Sequence, residues 1–472
     1  MRPTRHDPHD APDAPLASAT AIAAAVRAGT TSAVEVLDRH VGRIERANAR
    51  INAIVRFDLD RARARAVELD RARARGEPLG PLHGVPFTLE DMHATESLGA
   101  SAGTRATQRV PARHGAIAAR LERVGAVLLG KTNMSNSVQT MSEQFGRTSN
   151  PYDVRRTSGG SSGGAAAAVA AGLSAFDVGT DLSGSIRMPA HFCGVFGLRP
   201  TPHRIPVGDL IMGPAEMPRV DRALGVAGPI ARTAQDIGLL LGVLAGPDPS
   251  DPEVPPVPVA PIPRVDLRGL RVAVAPKIRG VHIAADISSA VERLAARLAD
   301  AGAHVEPREP VAFDALLAGF RELLRTPMSL AFAVGLAPPG SRPADYRDPT
   351  PLETMTALAE RDRFIAAADA FFASFDAFVC PAATTTAFLH CDRGAPVEID
   401  GTFEPSTCID HPTIWSTYTG CPSLVVPVAL DPRGMPIGVQ LVGRRWCDEQ
   451  LIGLGAAVAD VAGRLPPPSV PA

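Results

Sequence analysis

The chain has 472 residues, of which 45% are hydrophobic and 21% charged, so it is long enough to bury a large core. A formal net charge of −2 at pH 7 provides no basic excess, which argues against a nucleic-acid partner. The six cysteines are scattered without a C-x-x-C pair, which disfavours a disulfide framework or a zinc site and indicates a reducing compartment, the cytoplasm.

The N-terminal part of the sequence predicts a tail followed by helices. Pro and Asp interrupt the first residues where a secretory signal needs an apolar run, so residues 1–15 are interpreted as a flexible tail. From Leu16 to about Leu69 apolar residues recur three and four positions apart, which is typical of helices. The Ala-rich apolar stretches are too short or too interrupted to span a bilayer, so no membrane contact is expected.

The next stretch predicts helices that alternate with buried strands. A helix over Ala116–Arg123 leads into the strand "AVLLGKT", and the Gly/Ser segment "GGSSGG" opens a small-residue helix over Ala165–Ala171. The strand "AFDVGTD" follows and ends in a second Gly/Ser turn, "LSGS". Two Gly/Ser turns separated by one helix and one strand are difficult to explain as simple chain reversals.

The second half of the sequence continues the alternation after a Pro-rich connection. The segment "GPDPSDPEVPPVPVAPIPRVDLRG" excludes regular helix or central strand, so a surface connection is expected there. Strands are predicted at "LRVAVAP", "FDAFVCPA", "SLVVPVAL" and "IGVQLVG", and a helix at "DEQLIGLGAAVADVAG". The pattern predicts an α/β fold with a large mixed, twisted β-sheet flanked by helices, in a single domain over 16–472.

The two Gly/Ser turns indicate acyl chemistry more than phosphate binding. The first turn lacks the G-K-[ST] ending of a P-loop, so no lysine is placed to neutralise phosphates. The second lacks the G-x-S-x-G pattern of a nucleophile elbow, because "IRMP" follows Ser185. A serine nucleophile beside backbone N–H donors remains the functional alternative to a purely structural loop.

The segment from Thr157 to Thr201 resembles the Gly/Ser-rich signature of the amidase signature family. Further similar segments are "PLHGVPFTLEDMHATESLGASAGT", "GAVLLGKTNM", "RTSNPYDVRR" and "TGCPSLVVPVALDPRGMPIGVQLVGRRWCDEQLIGLGAAV", which appear in the family's order. The signature core covers about 80–205, and a divergent middle covers about 246–378. The substrate pocket is expected near residues 134–144 and this divergent middle.

The resemblance implies a role for each matching position. Ser185 corresponds to the nucleophile, and Ser161 to a bridging serine that follows a cis peptide bond. The column of the catalytic lysine holds Glu90. The implied oxyanion donors are the backbone N–H groups of Leu182, Ser183, Gly184 and Ser185. Asp181 and Arg187 are expected to pair and support the turn. The family implies no cofactor and no metal, a small amide or acyl substrate, and allows a homodimer.

Glu90 changes the chemistry that the family implies. A neutral lysine accepts the proton of the nucleophile through the bridging serine, whereas a glutamate is one bond shorter and ordinarily has a pKa of about 4.3. Losing a tuned base lowers the rate by roughly 10²- to 10⁴-fold. Burial that raises the pKa of Glu90 would make it a better base. Further departures from the family pattern are Glu96, Ser97, Thr157, Ser158 and Ser183, which suggest a repurposed site.

Two functions therefore follow from the sequence. The first is hydrolysis of an amide C–N bond, or acyl transfer, through Ser185 with an atypical proton relay; the second is a repurposed or inactive homologue that binds an amide-like ligand or uses Glu90 as acid/base in another reaction. A tRNA-directed amidotransferase component is a third, less favoured alternative because the sequence has no basic stripe. Other candidate site residues are His93, His191, Cys193 and His411, for which core packing or pocket lining is the competing interpretation.

Overall fold

The structure is a computed structural model, and it describes residues 17–105, 107–135, 139, 141–211, 221–333, 337, 342–392 and 394–469. The predicted tail over residues 1–15 lies outside these ranges. Of the loop expected to border the pocket, residues 136–138 and 140 also lie outside them.

Two capped helices begin the described chain. Helix α1 (Ala19–Ala28) begins after Ser18, and α2 (Ala33–Ile51) begins with a capping box in which Ser32 and Glu35 satisfy each other's backbone N–H groups. The strand β1 (Ile54–Phe57) then interrupts the region predicted as helical, before α3 (Leu59–Ala74). The prediction of continuous helix was wrong here, because pairing with a distant strand at residues 127–132 outweighs the local period.

The remaining elements alternate much as predicted. Up to the Pro-rich segment they are β2 (Pro86–Glu90), α4 (Ala116–Arg123), β3 (Val127–Thr132), β4 (Met141–Ser142), β5 (Gly146–Arg147), α5 (Gly163–Ala170), β6 (Phe176–Asp181), α6 (Arg187–Cys193), β7 (Phe196–Arg199), β8 (Val226–Ala231) and α7 (Ala234–Leu244). After it come β9 (Arg271–Val274), α8 (Ala285–Asp300), β10 (His304–Pro307), α9 (Phe313–Ala333), α10 (Pro351–Phe371), β11 (Ala377–Pro381), β12 (Val397–Ile399), β13 (Thr402–Glu404), α11 (Ile414–Thr419), β14 (Ser423–Leu430), β15 (Pro436–Val442) and α12 (Asp448–Ala462). Residues 254–267 form neither helix nor strand, as the prolines predict.

The described strands form an eight-stranded mixed sheet in the order β10-β9-β11-β15-β14-β7-β8-β6. The pairs β10–β9 and β9–β11 are parallel, and the later pairs are antiparallel. Helices α5, α6, α7, α8 and α12 pack against this sheet. The predicted α/β fold, a large mixed sheet flanked by helices, is confirmed.

A second sheet, ordered β1-β3-β2, meets the large sheet along β2 and β6. The backbone N–H of Ala175, just before β6, donates to Pro86 O in β2 at 3.1 Å. Helix α5 lies beside both strands and is fully buried. Its Gly164 is required because a Cβ there would lie 2.4 Å from Asn133 O. The junction brings the ends of β2 and β6 to the start of α5.

Within the described residues, no helix is both long enough and apolar enough to cross a membrane. The described part of the chain also contains no group of three His, Cys, Asp or Glu side chains placed to hold a metal ion.

Candidate active site

The two Gly/Ser turns singled out in the sequence lie against each other. Ser185 is half-buried in the turn between β6 and α6, and Ser161 is half-buried just before α5. The peptide bond between Gly160 and Ser161 is cis, as the resemblance implies. The backbone N–H of Ser162 donates to Ser185 O at 3.1 Å. The fold therefore joins the segment of the expected bridging serine directly to that of the expected nucleophile.

Asp181 and Arg187 support the Ser185 turn as predicted. The guanidinium of Arg187 donates two parallel hydrogen bonds to the carboxylate of Asp181, each 2.8 Å long, and both side chains are fully buried. Burial alone raises the pKa of Asp181, but Arg187 and then Arg199 outweigh it and lower the pKa to about 2. Arg187 also donates to Thr413 O at 2.6 Å and to Gln440 Oε1 at 2.7 Å. This ion pair fixes both ends of the turn to the sheet.

The backbone N–H groups of the turn differ in their availability. Gly184 N–H donates to Asp181 Oδ1 at 2.8 Å. The prediction that Gly184 is an oxyanion donor therefore needs correction, because the carboxylate that braces the turn already accepts from this amide. Within the described chain, the N–H groups of Leu182, Ser183 and Ser185 have no acceptor. These three amides remain as candidate donors to a developing oxyanion.

The peptide unit between Ser183 and Gly184 is held from both sides. Thr413 Oγ1 donates to Ser183 O at 2.5 Å, opposite the bond from Gly184 N–H to the Asp181 carboxylate. Ser183 Oγ donates to Asp410 Oδ2 at 2.9 Å. Burial raises the pKa of Asp410 to about 6. These contacts orient the turn, and Ser183, which departs from the family's glycine, gains a partner of its own.

Glu90 lies at the end of β2 and is 0% exposed. Its carboxyl oxygens accept hydrogen bonds from Ser162 Oγ at 2.8 Å and from Thr180 Oγ1 at 2.6 Å. In the described chain no hydrogen bond joins Glu90 to Ser161, so the expected relay through that serine lacks its first contact. The shorter glutamate side chain bonds to Ser162, the next serine of the same turn, instead.

The environment of Glu90 favours its neutral form. Desolvation is the main cause, and it raises the pKa of Glu90 to about 8 against the opposing hydrogen bonds from Thr180 and Ser162. The buried Asp177 adds to this increase through its negative charge. The prediction that burial raises the pKa of Glu90 is confirmed in direction. At pH 7 the side chain is mostly protonated.

The other candidate residues have structural partners. His93 Nε2 lies 2.7 Å from Val178 O, and His191 bonds to the backbone of Gly438 and Thr385; burial lowers the pKa of these histidines to about 3 and about 4. Cys193 is buried, and desolvation raises the pKa of its thiol. None of the three is hydrogen bonded to Ser185 in the described chain.

His411, Glu96 and Ser97 complete the sequence candidates. His411 is nearly buried between Asp410 and the ring of Phe313, whose centroid is 6.3 Å away. Glu96 and Ser97 are exposed, and Glu96 pairs with Arg61 at 2.7 Å. The interpretation that these last two departures cluster at the site was wrong, since their side chains face the surface.

Several site residues were missed in the sequence. Ser162 lies beside Ser161 in "GGSSGG" but was given no role, and Thr180, Asp177, Asp410 and Thr413 were not singled out. An aspartate inside the buried strand "AFDVGTD" is a signal that could have been used, because a buried carboxyl needs partners. The role of Thr413 depends on a contact across 230 residues, which no local pattern shows.

Comparison with known proteins identifies the family. The family model described as Amidase matches residues 35–329 and 340–452. This chain belongs to the amidase signature family. It is 32% identical to one component of the glutamyl-tRNA(Gln) amidotransferase of Synechococcus sp. (strain CC9605), covering 90% of this chain and 92% of that protein. It is 34% identical to an acylamidase of Rhodococcus erythropolis over 62% of this chain and 61% of that protein.

A solved structure of a bacterial aryl acylamidase of the amidase signature enzymes has a TM-score of 0.80 with this chain. The two are 25% identical, and the match covers 94% of this chain and 96% of the other. This agreement over nearly the whole chain includes the region between the Pro-rich segment and β11, where the sequence resemblance is weakest.

Proposed function

We propose that this amidase-family protein acts on a carboxamide or acyl substrate through Ser185, by hydrolysis of an amide C–N bond or by acyl transfer. The observation that carries the proposal is the turn itself: three backbone N–H groups without an acceptor in the described chain lie beside a half-buried serine. The Asp181–Arg187 pair and Thr413 hold this turn rigidly. Preorganised N–H donors are the main requirement for stabilising a tetrahedral oxyanion.

In the proposed reaction, Ser185 Oγ forms a bond to the carbonyl carbon and loses its proton. The C–N bond then breaks, and a proton passes to the departing amine. Water or another nucleophile attacks the acyl group on Ser185 and releases it. Each step needs a group that holds a proton near the serine turns, since a serine hydroxyl is a poor nucleophile on its own.

Glu90 is the proposed proton-holding group, connected to the nucleophile segment through Ser162. Ser162 Oγ is 2.8 Å from the Glu90 carboxyl, and Ser162 N–H bonds to Ser185 O. Because burial raises the pKa of Glu90 to about 8, the carboxylate form that accepts a proton accumulates only as pH approaches that value. Turnover that uses Glu90 as a base is therefore expected to increase from pH 6 to pH 8.

A panel of amides with varied acyl and amine groups tests this proposal. Turnover by the wild-type protein and its loss by at least about 10³-fold in Ser185→Ala support it. Glu90→Gln is expected to remove the rise of kcat/KM towards pH 8. Full activity of Ser185→Ala on a true substrate would refute the serine mechanism.

A second candidate function is ligand binding, or a non-hydrolytic reaction, in the same site. The observation in its favour is that Glu90 bonds to Ser162 and Thr180 and not to Ser161, so the family's relay is interrupted. This alternative predicts that amides bind, detected by calorimetry, without an acyl-enzyme in intact-protein mass spectra. It also predicts that Glu90→Lys gains amidase activity more readily than Glu90→Met.

Assembly and location are further parts of the proposal. One relative is named as part of an amidotransferase, whereas the near-neutral charge of this chain favours action on small molecules over tRNA. A homodimer, tested by light scattering, is the proposed assembly. Six free cysteines are consistent with the cytoplasm as the proposed location.

A further inference from the structure

A second buried carboxyl group lies next to Glu90. Asp177, on β6, is 0% exposed, and its Oδ2 accepts hydrogen bonds from Thr88 at 2.5 Å and from Thr132 at 3.1 Å. Both threonines flank Glu90: Thr88 is two residues earlier on the same face of β2, and Thr132 is the register partner of Glu90 on β3. The carboxyl groups of Glu90 and Asp177 are therefore neighbours in one buried cluster.

The hydrogen bonds of Asp177 are incomplete. Its second oxygen, Oδ1, is buried and has no hydrogen-bond partner in the described chain. The Thr88 and Thr132 hydroxyls both donate to the other oxygen, which favours an ionised carboxylate. Nothing in the proposed acyl transfer requires a carboxyl group at this position, so the charge of the cluster needs a separate explanation.

The charged groups around the pair come from four segments. They are Lys131 on β3, Arg56 on β1, Asp91 and His93 after β2, and Asp181 at the end of β6. Helix α5 and strand β8 contribute no titratable side chain, and the buried face of α2 is apolar. Asp91 is paired with Arg56 at 3.1 Å, and Asp181 with Arg187.

Lys131 balances a single negative charge. Its Nζ donates to His93 O, and burial lowers its pKa to about 8, so it remains mostly protonated at pH 7. Burial lowers the pKa of His93 to about 3, which leaves that ring neutral. Among the described residues facing the pair, Lys131 is thus the one cation not matched by another carboxylate. Two ionised carboxylates would leave a buried charge uncompensated, which is unfavourable.

We propose that Glu90 and Asp177 act as one carboxyl pair that retains a single proton at neutral pH, with Asp177 as a positioning residue that determines how tightly Glu90 holds it. Asp177 carries the charge, facing Lys131, and Glu90 carries the proton. This inference rests on the proposed function only where it connects the proton on Glu90 to turnover. The pair itself is a property of the folded chain.

Ser162 accommodates both protonation states of Glu90. Its Oγ is 2.8 Å from Glu90 Oε1 and 3.2 Å from Thr180 O. When Glu90 is protonated, its O–H donates to Ser162 Oγ, and Ser162 donates to Thr180 O. When Glu90 is ionised, Ser162 turns its hydroxyl proton towards the carboxylate. Release and uptake of the proton therefore require no movement of heavy atoms.

Infrared difference spectroscopy across a pH titration tests the pair without a substrate. The C=O stretch of a protonated carboxyl is followed in the full-length wild-type protein and assigned by its loss in Glu90→Gln. In Asp177→Asn, which preserves shape and acceptor oxygen, the midpoint of this band is expected to move to lower pH by about one unit or more, because a neighbouring negative charge is removed. In Lys131→Met the midpoint is expected to move to higher pH.

A matched control uses another buried carboxyl. Asp448, at the start of α12, bonds to Thr201 and is fully buried, and Asp448→Asn should leave the Glu90 band unchanged. An unchanged midpoint in Asp177→Asn, or no Glu90 band at pH 7, would overturn the pair. Shifted midpoints with no Ser185-dependent turnover would support the pair and refute the proposed function; turnover with unshifted midpoints would do the reverse.

Discussion

Glutamine at position 90 retains the size of the glutamate and an acceptor oxygen but does not titrate. The wild-type carboxyl has an ordinary pKa of 4.5 that burial raises to about 8 in the folded chain. A raised folded pKa means that the folded state binds the proton more tightly than the unfolded state. The resulting stability is fully present below pH 4.5 and is lost as pH rises towards 8.

The size of this loss follows from proton linkage. For one proton the free energy of unfolding decreases by at most about 1.4 kcal/mol per pH unit between the two pKa values. From pH 5 to pH 7 the wild-type protein should therefore lose about 2–3 kcal/mol through Glu90, which Glu90→Gln does not lose. The difference in free energy of unfolding, variant minus wild type, should increase by that amount over this interval.

Urea unfolding at half-unit steps from pH 5 to pH 8, followed by circular dichroism, measures this difference. Other titrating groups are common to both proteins, so they cancel. The control is Glu398→Gln, an exposed glutamate on β12, for which the difference should be the same at each pH. A Glu90→Gln difference that is equal at pH 5 and pH 7 would refute the conclusion that the folded chain keeps Glu90 protonated.

The oxyanion turn and its support lead to three further predictions. Gly184→Ala places a Cβ 2.6 Å from Thr413 Oγ1 at a φ of 125°, so phosphonylation of Ser185 should slow by about 10²-fold, whereas Gly434→Ala, at a positive φ in open space, should leave the rate unchanged. Thr413→Val leaves the carbonyl of residue 183 without its donor and should slow the same reaction about tenfold, whereas Thr413→Ser should restore it. Arg187→Lys breaks a buried bidentate ion pair and should lower the free energy of unfolding by about 3 kcal/mol in urea.

The elements that could be predicted from the sequence are those whose signals are local. Helix α4 and strand β14 have the predicted bounds because a 3.6-residue period and a run of β-branched residues between turn signals are sufficient. Strand β1 was missed because four residues between two helices show no strand pattern of their own. Its position depends on pairing with β3, which is far away in the sequence.

The candidate site was predictable as far as its motifs extend. The Gly/Ser turns and the Asp181–Arg187 pair lie within one continuous segment, so their proximity follows from the sequence. The partners of Glu90 depend instead on how β2 lies along β6, and side-chain length decides between Ser161 and Ser162. Asp177 escaped notice because the alternation of a buried strand does not reveal which inward position meets a second carboxyl group.

The central claim is that the turn after β6 presents Ser185 as the reactive group of an acyl-handling site. Peptide mass mapping after treatment with a fluorophosphonate probe tests it most directly. We predict a single phosphonyl adduct on Ser185 that forms faster at pH 8 than at pH 6 and is absent in Ser185→Ala. No adduct, or an adduct on Ser161 or Ser162, would contradict the account.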